Sequence, residues 1–314
     1  KCIIEKKPLG TLKSLIHAKK SLENFFLLSN GDTFFDTNIS SLYMKFNYKK
    51  NLMLLGAAKI STNDKYRYQN LFVKNKLLKK VYYSKQKTQI INSGLAIVNK
   101  KVLNYVKKDD NSFDKHLIKS LVPKKKIQVE VLKKKFIDIG TPNDLNFFLK
   151  NINFFLKKPA IFLDRDGVIN KDIGYVHKKE NFIWRKNIFK FIKKYNDKNY
   201  YIFVITNQSG IGRGYYREKD VNNLHSWMLD KIRFNGGNID KIYFCPYYKN
   251  SKNPKFRRGK KMRKPNNGMI IKAMRDFNIN IKKSLLIGDQ DVDRSVAIKS
   301  GIKYKILRFD SKLI

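Results

Sequence analysis

Cysteine is nearly missing from this chain: its 314 residues include only Cys2 and Cys245. That excludes a disulfide framework and fits a reducing, cytoplasmic setting. Long apolar runs are missing as well. None approaches the roughly 18–20 residues of a membrane span. The opening Lys-Cys-Ile-Ile-Glu-Lys-Lys has no signal-peptide core, so no membrane partner is expected. Acidic residues are scarce, 25 against 68 lysines and arginines, for a formal net charge of +43. Phosphate backbones reward such a surplus. Here, however, the surplus is mostly lysine rather than the arginine that forks onto phosphates and bases. It is also spread along the chain, with short clusters at 124–126 and 133–135 and no basic arm. Together with abundant Asn, Ile, Phe and Tyr it reads as the coding bias of an A/T-rich genome. Nucleic acid is therefore not the expected partner, whereas an anionic small molecule is compatible with the charge. An apolar fraction of 42% with ordinary Gly and Pro content excludes disorder. The length leaves room for two domains with their own cores, and the oligomeric state is left open.

What is present is a regular alternation in the second half. Strand-like runs at 160–163, 200–205, 241–244, 284–287 and 304–307 are separated by helical patterns: Ile188, Phe191, Ile192 and Tyr195; Val221, Leu224 and Met228; Met269, Ala273 and Phe277. Apolar residues three and four apart put one stripe on each helix. The alternation predicts an α/β fold with a parallel, doubly wound sheet and a ligand crevice at the carboxyl ends of its strands. The first half is also α/β but less regular, with strands expected at 25–29 and 52–60 and no internal repeat. The predicted organisation is a first domain over 1–150, a linker over 151–158 and a second domain over 159–314. The linker lacks the Gly/Ser content of a floppy tether and reads as a short connecting helix.

The most informative stretch is 161–170, Ile-Phe-Leu-Asp-Arg-Asp-Gly-Val-Ile-Asn. A buried strand ends in Asp164 and Asp166, and Gly167 turns the backbone sharply just beyond. Residues two apart share a face, so both carboxylates converge on one point. Two acids that close repel each other unless a cation lies between them or one keeps its proton. The pair suits metal-assisted phosphoryl transfer, with one aspartate as nucleophile and the other as acid/base. Further pieces follow other strands. Asp289 can complete the oxygen shell of a Mg²⁺. Thr206 and Asn207, at a strand-to-helix turn, offer donors to phosphoryl oxygens. Lys264, in Arg263-Lys264-Pro265, supplies a point charge and leaves Arg263 free to fork onto substrate.

In this order and spacing the motifs resemble the haloacid-dehalogenase phosphatases, and within them the D,D-heptose 1,7-bisphosphate phosphatase and histidinol-phosphatase group. The resemblance is carried by residues 162–170, Gly174-Tyr175-Val176-His177, residues 206–214, Cys245-Pro246, residues 263–269, and Gly288-Asp289-Gln290 with Asp293. It implies a Rossmann-like domain with Asp164 as nucleophile and Asp166 as proton donor. It puts Mg²⁺ on Asp164, the backbone carbonyl of Asp166, and Asp289. Substrate contacts fall on Asp172, Ile173, Gly174 and Tyr175, on Thr206, Asn207, Gln208 and Ser209, and on Arg263, Lys264 and Gln290. Family members often hold zinc through Cys-x-His and Cys-x-Cys before the Arg-Lys-Pro. Here Tyr247, Lys260 and Met262 stand at three of those four positions. One thiol, Cys245, cannot make a tetrahedral site, so zinc is not expected.

Residues 5–148 resemble the later part of a sugar-phosphate nucleotidyltransferase, through Pro8-Leu9-Gly10-Thr11, Asn30-Gly31-Asp32-Thr33, Asn92-Ser93-Gly94 and Phe136-Ile137-Asp138-Ile139-Gly140-Thr141-Pro142. The resemblance implies that Asp32 and Asp138 form a remnant Mg²⁺ site of the kind that holds a nucleoside triphosphate. The family's opening Gly-rich loop and Pro-Lys-Pro are missing, and Ser84-Lys85 stands where Glu-Lys is usual. Without a phosphate-cradling loop the transfer chemistry fails. The chain, which does not begin with Met, thus reads as a piece of a longer bifunctional enzyme and as a partial nucleotidyltransferase domain without nucleotidyl transfer of its own. The expected activity is Mg²⁺-dependent removal of the 7-phosphate from a small sugar bisphosphate, D-glycero-D-manno-heptose 1,7-bisphosphate, in the synthesis of nucleotide-activated heptose. The alternatives are a histidinol-phosphate phosphatase, a polynucleotide 3′-phosphatase, whose family shares a segment like 207–214, and a non-catalytic nucleic-acid-binding protein.

Overall fold

The computed structural model describes residues 2–60, 68–82 and 89–307. Ser84-Lys85 lies outside the described residues. The chain divides into two compact units, Lys1–Thr37 with Lys45–Lys150, and Asn38–Met44 with Asn151–Ile314.

The first unit contains β1 (Phe25–Ser29), β2 (Thr33–Phe35), β3 (Met53–Lys59), β4 (Asn70–Lys74), β5 (Leu77–Tyr82), β6 (Ile90–Asn99), β7 (Ile127–Leu132) and β8 (Phe136–Asp138). Of the early helices, α1 (Thr11–His17), α3 (Lys119–Leu121) and α4 (Pro142–Lys150) belong to it, whereas α2 (Ile39–Met44) groups with the second unit. Six strands form one mixed sheet in the order β1-β6-β3-β7-β5-β4, and β2 pairs separately with β8. Among the described residues of this sheet, only β3 and β7 pair in parallel. β3 is buried at every position but its last, as a strand covered on both faces must be. Its Met53, Leu55 and Ala57 pack with Leu12 and Leu15 of α1 and with Leu117, Ile118 and Leu121.

In the second unit β9 (Ala160–Leu163), β10 (Tyr201–Asn207), β11 (Lys241–Cys245), β12 (Leu285–Gly288) and β13 (Lys303–Ile306) form a parallel sheet in the order β11-β10-β9-β12-β13. Between them run α6 (Ile188–Asp197), α7 (Ser209–Arg213), α8 (Glu218–Phe234), α9 (Gly268–Asp276) and α10 (Asp291–Ser300). The two-residue period of the strands sends Ile161, Leu163, Ile202 and Val204 to one face, against Ile188, Phe191 and Ile192 of α6 and Leu224, Met228 and Ile232 of α8. Ala160, Phe162, Phe203 and Ile205 face the other way, against Met269, Ile270 and Ala273 of α9 and Val296 and Ala297 of α10. The result is the doubly wound sheet that the alternation predicts. At the edge, β13 reads Lys-Tyr-Lys-Ile and is mostly exposed, its charges discouraging further strand pairing.

One detail differs from the sequence expectation, and a second adds to it. β10 extends through Asn207, so Thr206 and Asn207 end the strand rather than sit in the turn after it. Their backbones still pair with Phe244 and Cys245 of β11, which keeps both in the ladder. Residues 151–158 hold α5 (Ile152–Leu156), with Phe155 only 4% exposed, and Lys158 bridges to Ile279; the stretch packs with the second unit.

Candidate active site

β9 lies in the middle of the parallel sheet, and its carboxyl end delivers Asp164 and Asp166. Asp164 is tied to the neighbouring strand, its N–H donating to the Ile287 carbonyl at 3.0 Å. Gly167 follows with φ +83°; a Cβ there would fall 2.0 Å from Asp289 Oδ2, so only glycine lets the Asp289 carboxylate reach the end of β9. Across β12, Gly288 leaves room for Asp293, whose Cβ would be 2.2 Å from an added methyl. Asp293 Oδ2 also accepts from the Gln290 N–H at 3.3 Å, at the start of α10.

Lys264 sits at the centre. Its Nζ lies 2.6 Å from Asp164 Oδ2 and 2.7 Å from Asp293 Oδ1, and all three side chains are buried. Asn207 holds the Lys264 backbone from both sides, accepting from its N–H at 3.0 Å and donating to its carbonyl at 3.2 Å. Burial works against the Lys264 charge, but Asp164 and Asp293 overcome it and its pKa is raised. Asp164 is pushed up to about 7, chiefly by burial, against the pull of Lys264, with Asp293 adding to the rise. Burial, then Asp293, raises Asp289 to about 6. One lysine thus faces several carboxylates, and the cluster is short of positive charge.

The donor set fits a divalent cation. Oxygens of Asp164, Asp289 and Asp293 lie within 4.8 Å of one another. Asp289 Oδ1 is buried without a hydrogen-bond partner, a costly state for a carboxylate unless a cation takes it up. Lys264 pairs with both Asp164 and Asp293, so of these three acids Asp289 is the one with a buried oxygen left without a partner.

A crevice of about 210 Å³ opens over these groups. Of the sequence-predicted residues it is lined by Asp164, Asp166, Asp172, Gly174, Tyr175, Thr206, Asn207, Gln208, Ser209, Lys264 and Gln290. Ile173 does not join them and is 51% exposed. Nor does Arg263, whose Nη1 donates to the Tyr247 carbonyl at 3.3 Å instead of standing free. Asp289 is not among the lining residues, and its carboxylate lies against Gly167. Tyr216 is a lining residue that the motifs did not single out; its hydroxyl donates to Gln208 Oε1 at 3.0 Å, and Gln208 Nε2 donates to Asp166 Oδ2 at 3.0 Å. Asn170 Nδ2 and Arg165 also donate to Asp166.

The remaining expected features are in the following places. Cys245 is the buried last residue of β11, its thiol 3.8 Å from the Gly259 carbonyl, and Tyr247 and Met262 pack against the core beside it. In the first unit Thr33 pairs with Asp138 across β2 and β8. A Cβ on Gly140 would be 3.0 Å from Asp138 Oδ1 and 3.1 Å from Asp32 Oδ2, so these two distant aspartates converge. No helix among the described residues is long and apolar enough to cross a membrane.

Fold and site place the second unit in the haloacid-dehalogenase superfamily, and residues 160–306 match the family model described as polynucleotide kinase 3 phosphatase. The D-glycero-beta-D-manno-heptose-1,7-bisphosphate 7-phosphatase of Rhodopseudomonas palustris is 40% identical over 111 residues, 35% of this chain and 62% of that one. The D-glycero-alpha-D-manno-heptose-1,7-bisphosphate 7-phosphatase of Campylobacter jejuni subsp. jejuni is 40% identical over 125 residues, 40% of this chain and 67% of the relative. The chain belongs to the D-glycero-D-manno-heptose-1,7-bisphosphate 7-phosphatase family. It spans about three-fifths of the length of the first of these relatives. Among solved structures, the D,D-heptose 1,7-bisphosphate phosphatase from B. bronchiseptica, complexed with magnesium and phosphate, is 27% identical with a TM-score of 0.43, covering 47% of this chain and 79% of that one.

Proposed function

We propose that the second unit hydrolyses the 7-phosphate of D-glycero-D-manno-heptose 1,7-bisphosphate through an aspartyl-phosphate on Asp164. The observation that carries this reading is the placement of Asp164, a 7% exposed carboxylate at the end of the central strand, lining the crevice 2.6 Å from Lys264. Asp164 attacks phosphorus while the sugar oxygen departs with a proton from Asp166; Asp166 then takes a proton from the water that releases phosphate. The Thr206 hydroxyl, which accepts from Gln208 Nε2 at 3.0 Å, keeps its own proton for a phosphoryl oxygen, and Lys264 offsets the phosphoryl charge. Magnesium would be held by Asp164, Asp289 and the backbone carbonyl of Asp166, and when bound it supplies positive charge opposite the transferring group. The first unit supports the substrate by pathway logic alone, since a dephosphorylated sugar 1-phosphate is what a nucleotidyltransferase activates. No nucleotidyl transfer is assigned to this chain, and its two free thiols suit a cytoplasmic setting.

The test is Mg²⁺-dependent phosphate release from the heptose bisphosphate beside histidinol phosphate and a 3′-phosphorylated oligonucleotide. Preference for the heptose by about tenfold or more in kcat/KM is expected. A higher value for either competitor would reassign the substrate.

The raised acids also give a pH signature. Asp164 at about 7 and Asp289 at about 6 lie above an unfolded carboxylate near 3.9. From about pH 4 to about pH 7 the metal-free folded chain binds more protons at these groups than the unfolded chain, so they cost stability as pH rises. Magnesium binds the ionised forms and offsets that cost. The gain in melting temperature on adding saturating magnesium is therefore expected to be larger near ~pH 8 than near ~pH 5. His225, held down to about 3 by burial and by Arg165, slopes the other way but does so with and without metal, and cancels in the difference. An equal gain at both pH values would remove these carboxylates as ligands.

A further inference from the structure

Arg165 lies between the two site aspartates in sequence, yet its side chain is 0% exposed. Nη2 donates to both Asp166 oxygens, at 2.9 and 2.8 Å, and to the Val176 carbonyl at 2.6 Å, while Nε donates to Asp166 Oδ1 at 3.2 Å. The third nitrogen, Nη1, lies 3.2 Å from Nε2 of His225, on α8 and 60 residues along the chain. A guanidinium has donors only and keeps its charge. His225 Nε2 must therefore accept, which leaves the ring neutral with its proton on Nδ1. His225 is 5% exposed, and its ring meets Phe244 edge-on at 5.7 Å, so it has little freedom to turn. No step of the reaction proposed above uses this histidine.

We infer that His225 is a positioning residue: by accepting from Arg165 Nη1 it fixes the tilt of the guanidinium fork, and the fork aims the Asp166 carboxyl group at the departing sugar oxygen. The inference rests on the reading of Asp166 given above. In that step the Asp164–phosphorus bond forms, the bond from phosphorus to the sugar oxygen breaks, and one proton passes from Asp166 to that oxygen. His225 exchanges no proton with substrate or solvent. Its influence reaches the reaction only through the orientation of Asp166, so it belongs to kcat and not to binding.

The choice of leaving group separates this role from a merely structural one. An alkyl oxygen needs the proton from Asp166, whereas p-nitrophenolate leaves without one. First-turnover rates are measured for wild type, His225→Leu, His225→Asn and His225→Gln with the heptose bisphosphate and with p-nitrophenyl phosphate. Leucine, which cannot accept, and asparagine, which is too short to reach Nη1, are expected to slow the sugar ester about 10- to 100-fold with KM unchanged. Their burst of p-nitrophenolate stays within about twofold of wild type, which also certifies the fold. Glutamine, whose Oε1 reaches Nη1, restores the sugar rate. Equal losses on both esters, no loss on the sugar, or no rescue by glutamine would overturn the inference. A wild-type burst with p-nitrophenyl phosphate but none with the heptose overturns the substrate reading alone, and the comparison then runs with histidinol phosphate, also an alkyl ester. No burst with any ester overturns both.

Discussion

Replacing Asp164 by asparagine is expected to cut phosphate release by roughly 10⁴-fold or more while leaving the metal-free protein at least as stable as before. An amide cannot form the aspartyl-phosphate, and no neighbouring acid stands in for it, because neither Asp293 nor Asp289 lines the crevice. Stability follows a different logic. Asp164 is buried with its pKa up at about 7, so its ionised form is a burden to the folded state at neutral pH. Asparagine keeps an oxygen for Lys264 and removes a charge that repels Asp293. Steady-state phosphate release with magnesium, paired with thermal melts in chelator, checks both halves. A variant retaining a tenth of the activity would mean that another group attacks phosphorus.

Lys264→Met is expected to do the opposite to the fold. It takes away the cation shared by Asp164 and Asp293, which are 7% and 0% exposed, and leaves two buried carboxyl groups facing each other. Breaking a buried pair from one side costs about 3–5 kcal/mol, against about 5–15 kcal/mol for a whole domain. Part of this is recovered by protonating one acid, so the loss is larger at higher pH. Turnover falls as well, by roughly 10²–10³-fold, the usual cost of removing one charge-stabilising donor. Denaturant unfolding in chelator at two pH values gives the first number, and kcat gives the second. A lysine replaced without loss of stability would show that the acids there are not charged against it. The two variants together separate chemistry from packing, since one kills the reaction and spares the fold while the other harms both.

Much of this site was legible because its residues lie at strand ends. The apolar run before Asp164, Gly167 just beyond and the alternation of strand and helix patterns are all local. They pointed to Asp164, Asp166, Thr206 and Asn207, whereas Gln208 was named only through the family resemblance and Lys264 lies in a loop well past the end of β11; all six line one crevice. What local pattern does not contain is pairing between distant side chains. Nothing around residue 225 announces that its ring meets Arg165, and Arg263 gave no sign that its guanidinium turns to the Tyr247 carbonyl. Asp293 was visible as part of a motif, but its tie to Lys264 depends on a bend in a loop 29 residues away. The first unit was less legible for a related reason. Its sheet order, β1-β6-β3-β7-β5-β4, mixes parallel and antiparallel neighbours from distant segments, and periodicity within a strand does not choose its partner.

Two glycines, Gly167 and Gly288, hold open the space that Asp289 and Asp293 occupy. Neither carries any chemistry, yet every missense change at a glycine codon adds at least one carbon. For these two positions there is no gentle allele: the smallest heritable change already collides with a carboxylate, at 2.0 Å for one and at the Asp293 side chain for the other. At these two positions even the smallest coding change must displace a carboxylate of the site before anything else in the fold is touched.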